Sequence, residues 1–142
     1  MMRDSAGVAA IEFAMIVPVL SLMLIGMVDY GLYITKKMQI QELSRRAVEY
    51  VVQGGQESDV QANVIAHSSL FTASPPVTYT PEIICECSGG AVAACSGNCA
   101  GNDYLRSFFA VTIQGTYEPL LTYPGIPDNI TLTGYSRLQY AR

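Results

Sequence analysis

The chain has 142 residues and a formal net charge of −4, and half of its residues are apolar. This length allows one small domain and an anchor, with about 90 residues left after the apolar N-terminal part, so burial alone would stabilise the domain only marginally. The part after residue 46 is predominantly acidic, which excludes nucleic-acid binding because that function needs basic side chains to neutralise phosphates.

An apolar run extends from Val8 to Ile34 and contains only two charged residues, Glu12 and Asp29. As a helix it would be about 40 Å long, enough to cross a hydrocarbon core of about 30 Å. The run is too long for a cleaved secretory signal, and no small-residue cleavage motif follows it. The sequence therefore predicts a transmembrane helix over residues 8–34. Pro18 is predicted to bend this helix without ending it.

Residues 35–53 are predicted to continue the helix as an amphipathic rod that ends at Gly54. The predicted apolar face of this rod follows helical spacing and consists of Ile40, Leu43, Ala47, Tyr50 and Val51. Its polar face contains two oppositely charged pairs at i, i+4 spacing, Glu42 with Arg46 and Arg45 with Glu49. The apolar face needs a surface to pack against, and the rest of the chain is the expected one.

Residues 54–142 are predicted to form an α+β domain. A short helix over residues 59–70 comes first, with Ser58 as its N-cap, and His67 on it is interpreted as a surface residue. Three strands are predicted after it, at 77–85, 109–117 and 130–140. Pro81 is expected to interrupt the first of them. The predicted fold class is α+β, with one long transmembrane-plus-amphipathic helix packed on a small antiparallel sheet.

All four cysteines lie in one loop over residues 85–99, at positions Cys85, Cys87, Cys95 and Cys99. An even-numbered cluster beside a membrane anchor favours disulfides in an oxidising compartment. Zinc is the alternative, since four thiolates can bind it, but the C-x-C and C-x3-C spacings differ from the common zinc motifs. Cys85 and Cys87 would point to the same face of a strand, which disfavours a bond between them. For a hairpin-like loop we expect nested pairs, Cys85 with Cys99 and Cys87 with Cys95.

The N-terminal stretch AGVAAIEFAMIVPVL resembles the start of type IV prepilins, in which a leader ends in glycine and the fifth residue after it is glutamate. Here Gly7 would end the leader, Val8 would begin the mature chain and Glu12 would be its fifth residue. With the later Gly26–Gly31 stretch GMVDYG, residues 6–50 are similar to the TadE-like family. Its members are minor pilins, or pseudopilins, of the TadE/TadF/TadG group in the Tad (Flp, type IVc) pilus system.

The resemblance implies that a prepilin peptidase of the inner membrane removes residues 1–7 and that the mature chain takes part in assembling or initiating adhesive pili. The new amine of Val8 would then pair with Glu12 of a neighbouring subunit, and Glu12 would set the stagger between subunits. The implied partners are the peptidase, membrane lipid before assembly, the major Flp-type pilin, other minor pilins of the TadF and TadG kinds, and the Tad inner-membrane platform.

The implied location is the bacterial inner membrane, crossed once, with the C-terminal domain in the periplasm or, within a pilus, at the cell surface. Lys36 and Lys37 directly after the apolar run favour the opposite orientation by the positive-inside rule. An alternative function is that of an uncleaved, single-pass scaffold of the Tad secretion machinery. An enzyme is not expected, because no nucleophile, base and orienting group stand in a recognisable pattern, and no cofactor is expected either. Asp103 and Glu118 are interpreted as loop surface.

Overall fold

A computed structural model describes residues 5–66, 77–122 and 124–140. The first four residues of the predicted leader and His67 lie outside the described residues. The chain divides into two compact units, Met1–Ile34 and Thr35–Arg142. The N-terminal unit is helical, and the second unit contains a helical segment together with a four-stranded sheet. The amphipathic segment thus belongs to the same compact unit as the sheet.

One helix, α1, spans Ser5–Val52. Its C-terminus has the backbone pattern that glycine permits, because Gly54 adopts a φ of 100°. The Gly54 N–H donates to the Val51 carbonyl and the Gly55 N–H donates to the Tyr50 carbonyl, each at 3.0 Å. These two bonds satisfy carbonyls that the helix itself leaves open. The prediction that the helix ends at Gly54 is confirmed.

Two short turns replace the predicted second helix over its described part, and residues 67–70 of that prediction lie outside the described residues. A 3-10 turn covers Glu57–Asp59, and a wider turn with π-type bonding covers Gln61–Ile65. Ser58 is not the N-cap, because Gln56 holds that position and the Ser58 hydroxyl donates instead to the Asp59 carboxylate at 3.1 Å. Val60 and Ile65 are nevertheless buried, as the apolar spacing indicated.

The sheet has four strands in the order β2-β1-β3-β4, and every neighbouring pair is antiparallel. The strands are β1 (Thr78–Cys87), β2 (Val92–Ala93), β3 (Leu105–Tyr117) and β4 (Ile130–Gln139). The predicted α+β class is therefore confirmed, with one additional strand. Two residues are too few to show an alternating pattern, so β2 had no signal in the sequence. Strand β3 begins at Leu105, four residues before the alternating segment that predicted it.

Strand β1 continues through Pro81, which corrects the expected interruption. The Tyr140 N–H donates to the Ser107 carbonyl at 2.8 Å, so the backbone polar groups of Ser107 face β4 and not β1. Because hydrogen-bonded and non-bonded pairs alternate along the register, the pair of Pro81 with Val111 is a non-bonded one. The nitrogen of Pro81 therefore points away from β3, and β2 pairs only further along the strand. No bond between β1 and β3 is lost at the proline.

The core of the second unit lies between the helical segment after Ile34 and one face of the sheet. The buried side chains of the helical segment are Ile40, Leu43, Ser44, Ala47 and Val48. Those of the sheet include Phe109, Val111, Ile113 and Leu132. Helical spacing correctly identified three of the helix residues, while Tyr50 and Val51 are only half-buried. The two predicted surface pairs, Glu42 with Arg46 and Arg45 with Glu49, are formed at 3.1 and 2.8 Å.

Candidate functional site

The N-terminal half of α1 exposes its apolar side chains on all faces. Val8 is 60% exposed and Phe13 is 66% exposed, and none of the residues in the most apolar window of the helix is buried. Among the described residues this is the one helix that is long and apolar enough to cross a membrane. Such a surface requires an apolar surrounding, which a bilayer or the helices of other subunits would supply.

The predicted cleavage bond lies within the first turns of this helix. Gly7 is the third residue of α1, and a side chain built at Gly7 would meet nothing within 4 Å. The bond between Gly7 and Val8 is therefore sterically open in the described structure. It is also helical, so a protease that binds an extended substrate would have to unwind the helix up to Val8.

The Glu12 carboxylate is exposed and makes no hydrogen bond or ion pair with any described residue. Val8 lies one helical turn before it, on the same face of α1. A carboxylate among apolar side chains is costly in lipid unless a cation or hydrogen-bond donor accompanies it. In lipid, Glu12 would therefore need a partner from outside the described part of this chain.

Pro18 lies inside α1, and the helix is continuous through it. A proline has no N–H, so the carbonyl of Ala14 loses its helical donor. One turn further on, the Ser21 hydroxyl donates to the Val17 carbonyl at 2.8 Å. A serine that bonds back to the preceding turn tends to bend a helix, so this bond and Pro18 act on the same part of α1.

Asp29, the second acid of the apolar run, differs from Glu12 in its surroundings. It is 5% exposed, whereas Tyr30 beside it is 65% exposed. The rings of Tyr30 and Tyr33 stack with their centroids 6.4 Å apart. Composition alone does not distinguish Glu12 from Asp29. In the structure, Glu12 is exposed and Asp29 is buried.

The four cysteines form two disulfides, and the expected nested pairing is wrong. Cys85 is bonded to Cys95 and Cys87 to Cys99, so the two bridges are interleaved along the sequence. All four thiols are thereby used, and among the described residues no group of three or more His, Cys, Asp or Glu side chains is placed to hold a metal ion.

The register of β2 explains the pairing. The chain turns tightly after Cys87 and returns along β1, so that Ala93 lies opposite Cys85. Cys95 follows two residues later on the returning segment and reaches Cys85 rather than Cys87. The chain then turns again, with the Gly97 N–H donating to the Ala94 carbonyl at 2.8 Å. This second turn brings Cys99 back to Cys87, whereas nested pairing would need a single uninterrupted hairpin.

Hydrogen bonds fix the ends of this loop. The Ser88 hydroxyl donates to the Asp103 carboxylate at 2.6 Å, and the Ser88 N–H donates to the Tyr104 carbonyl at 2.9 Å. Arg106 donates from Nη2 to the Ser88 carbonyl at 3.2 Å. Asp103 is exposed, as expected, and its visible role is to hold the loop closed.

A groove of about 460 Å³ lies beside the helical segment of the second unit. It is lined by Lys37, Met38, Gln41, Glu42, Arg45 and Ser136. Arg45 and Glu42 are engaged in the two surface ion pairs. The groove therefore presents a mixed, partly neutralised surface.

These features define a class: a protein whose described residues contain one membrane-compatible helix near the N-terminus, followed in the chain by a disulfide-bonded α+β unit. Within that class, the family described as TadE-like protein matches residues 7–49. The match confirms the resemblance over α1 and leaves the sheet unmatched. The TadE-like family is a structural, non-enzymatic kind that is associated with Tad pili. No curated protein and no solved structure matches the chain.

Proposed function

We propose that this chain is a minor pilin, or pseudopilin, that a prepilin peptidase cuts after Gly7 and that is needed to initiate or assemble adhesive Tad pili. The observation that carries the proposal is Glu12, which has no partner among the described residues and lies in an exposed apolar helix that matches the TadE-like family from residue 7 onward. The proposed partners are the peptidase, the major Flp-type pilin, TadF- and TadG-like minor pilins and the inner-membrane platform.

The role proposed for Glu12 follows from its electrostatics. A carboxylate at the centre of a bilayer costs roughly 2.5–3.5 kcal/mol, and less near an end of the helix. An amine at about 4 Å offsets about 4 kcal/mol at an intermediate effective dielectric. Cleavage after Gly7 creates such an amine on Val8. Pairing between the Val8 amine of one subunit and Glu12 of the next would favour one stagger of the two helices over others.

The role proposed for Gly7 is steric. A residue without a side chain fits a narrow protease site and adopts the extended backbone that cleavage needs. Removal of residues 1–7 would also leave Val8 as the first residue of α1. The positive end of the helix dipole and the new amine would then lie together, one turn from Glu12.

The mature protein is proposed to be a single-pass protein of the bacterial inner membrane, with the sheet in the periplasm and, after assembly, at the cell surface. Before assembly, α1 would be surrounded by lipid. Afterwards the helices of neighbouring subunits would replace the lipid, since both surroundings are apolar.

The test uses two variants in the native host. Gly7→Leu is expected to block maturation, so that the intact mass still includes residues 1–7. Glu12→Ala is expected to leave the mass of the mature protein unchanged and to reduce the number of pili seen by electron microscopy. Ala9→Leu is the matched control for a bulky residue near the bond, and Glu12→Asp tests whether a shorter carboxylate restores piliation. Normal cleavage and normal piliation in both Gly7→Leu and Glu12→Ala would refute the proposal.

The second candidate function is an uncleaved scaffold of the Tad secretion machinery. The helical backbone around Gly7 favours it, because a bond within a helix is a poor protease substrate. Retention of residues 1–7 in wild-type protein from the native host, with pili still present, would support the scaffold over the pilin.

A further inference from the structure

The outer edge of β4 is the longest edge of the sheet, since β4 has ten residues and β2 at the opposite side has two. The bond from the Tyr140 N–H to the Ser107 carbonyl marks that pair as hydrogen-bonded. By alternation, the residues at odd positions of β4 direct their backbone N–H and C=O groups away from β3. These residues are Thr131, Thr133, Tyr135, Arg137 and Gln139.

The side chain of Gln41 occupies the middle of this edge. Its Nε2 donates to the Tyr135 carbonyl at 2.6 Å, and its Oε1 accepts from the Tyr135 N–H at 3.3 Å. One amide side chain therefore makes both of the bonds that a residue of an added strand would make. Ile40 beside it is fully buried against the sheet, so Gln41 is held at this position by the packing of α1.

We propose that Gln41 blocks strand addition at the edge of β4, and that the strand it excludes is β4 of a second copy of this chain. An exposed edge invites pairing with another strand unless a bulge, a charge, a proline or a covering group prevents it. Antiparallel pairing of two β4 strands centred on Gly134 would place Arg137 of one opposite Thr131 of the other. No like charges would meet in this register, so the charges of the edge do not oppose the pairing. Gln41 does oppose it, because it occupies the backbone groups of Tyr135 near the centre of the edge.

The other long stretch of unpaired edge lies along β1, and a proline prevents strand addition there. The nitrogen of Pro81 faces the open side of β1 and has no hydrogen to donate. The two exposed edges are thus blunted by different means, one by a proline within the strand and the other by a side chain from the helix. The inference concerns the second unit alone and holds whether or not the leader is cleaved.

The experiment uses the full chain in detergent micelles. Gln41→Met keeps the length and apolar stem of the side chain and removes both hydrogen bonds. We expect the Tyr135 amide to exchange its hydrogen about five- to tenfold faster in the monomer, since one moderate hydrogen bond is lost. Raising the protein concentration should then produce a dimer, measured by sedimentation, in which the Thr133 and Arg137 amides become protected from exchange.

Gln53→Ala is the matched control, because it removes an exposed glutamine directly after the end of the same helix. It should keep the wild-type mass and exchange pattern. Gln41→Met combined with Thr133→Pro removes an outward donor and should return the protein to the monomer. The proposal is overturned if Gln41→Met keeps the wild-type mass at every concentration, if its dimer leaves the edge amides unprotected, or if the variant does not fold, since Gln41 would then be a folding residue.

Discussion

Ile40 of α1 packs against Gly134 of β4 so closely that no side chain fits at residue 134. A Cβ built on Gly134 would lie 2.6 Å from Ile40 Cγ2 and 2.6 Å from the Ile40 carbonyl oxygen. Both positions are fixed, because Ile40 is fully buried and Gly134 is paired with Ile113 in the sheet. The absence of a side chain at residue 134 therefore sets how near the helix can come to the sheet.

Gly134→Ala is expected to lower the free energy of unfolding of the second unit by about 1–3 kcal/mol, because the helix must move away from β4. The measurement is denaturant unfolding of the detergent-solubilised chain. Gly26→Ala is the control, since a side chain built at Gly26 meets nothing within 4 Å. Equal stability of the two variants would contradict the close packing described here.

Peptide mapping of unreduced protein is expected to recover Cys85 linked to Cys95 and Cys87 linked to Cys99. Replacing Cys95 by serine, together with Cys85, should destabilise the second unit by about 2–3 kcal/mol, as expected for closing a loop of this length in the chain-entropy model. The pair Cys87→Ser with Cys99→Ser should have a similar effect. A linked peptide that joins Cys87 to Cys95 would show that the β1–β2 register is different in solution.

Tyr79 is expected to make the stability of the second unit depend on pH in the alkaline range. Its hydroxyl is buried and has no hydrogen-bond partner among the described residues. Burial, and secondarily the nearby charge of Glu57, raise the pKa of Tyr79 to about 12. Since the folded state holds this proton more tightly than the unfolded chain, its stabilising contribution is complete below pH 10 and is lost as the pH rises to about 12.

Tyr79→Phe should therefore flatten the fall in stability between pH 10 and pH 12. The expected difference in unfolding free energy from wild type is about 1 kcal/mol. This is smaller than the value that a shift of about two pKa units implies, because the ring is only partly shielded and solvent screens the interaction. Unfolding curves at several pH values, with Tyr104→Phe as an exposed-tyrosine control, measure the difference. Parallel pH profiles for wild type and Tyr79→Phe would count against a shifted titration.

Arg137 of β4 contacts residues of two other strands, β1 and β3, on the outer face of the sheet. Its Nη1 donates to Glu86 Oε1 at 2.8 Å, and its guanidinium lies 5.1 Å from the centre of the Phe108 ring. The Glu86 side chain is 16% exposed, so this pair is better shielded than the helix pairs. Arg137→Ala is expected to cost about 1 kcal/mol of unfolding free energy, and Arg137→Lys to recover part of it.

A double-mutant cycle of Arg137→Ala with Glu86→Gln isolates the ion pair from the ring contact. The comparison is Arg45→Ala, whose partner Glu49 belongs to the same helix and whose side chain is 68% exposed. Arg45→Ala should leave the unfolding curve unchanged. An equal loss at Arg45 and Arg137 would mean that shielding does not distinguish the two pairs.

Local signals in the sequence were enough to predict the helix and most of its buried face. Gly54 ends α1 because glycine adopts a positive φ there, and that preference is visible in the residue itself. Ile40, Leu43 and Ala47 are buried because their spacing places them on one side of any helix. The alternating residues of β3 and β4 likewise predicted strands, although β3 starts four residues earlier than its alternation indicated.

Properties that depend on a neighbouring strand could not be predicted. Whether Pro81 breaks a strand depends on which side its nitrogen faces, and the register with β3 decides that. The cysteine pairing depends on the two residues of β2, which have no pattern of their own. Gln41 lies between a buried isoleucine and a surface glutamate, so nothing in the sequence marks it as a partner of Tyr135. The resemblance at Gly7 and Glu12 needed only a local motif, and the family match over residues 7–49 agrees with it.

The interleaved bridges also determine how the Cys85–Cys99 loop would withstand proteases. A single cut anywhere between Cys85 and Cys99 leaves both ends joined through at least one bridge. Two cuts, one between Cys85 and Cys87 and one between Cys95 and Cys99, still release no fragment, because each bridge ties the middle piece to a different flank. Nested bridges would have let that piece diffuse away. A loop built in this way remains one covalent molecule after one cut in each of two segments bounded by successive cysteines.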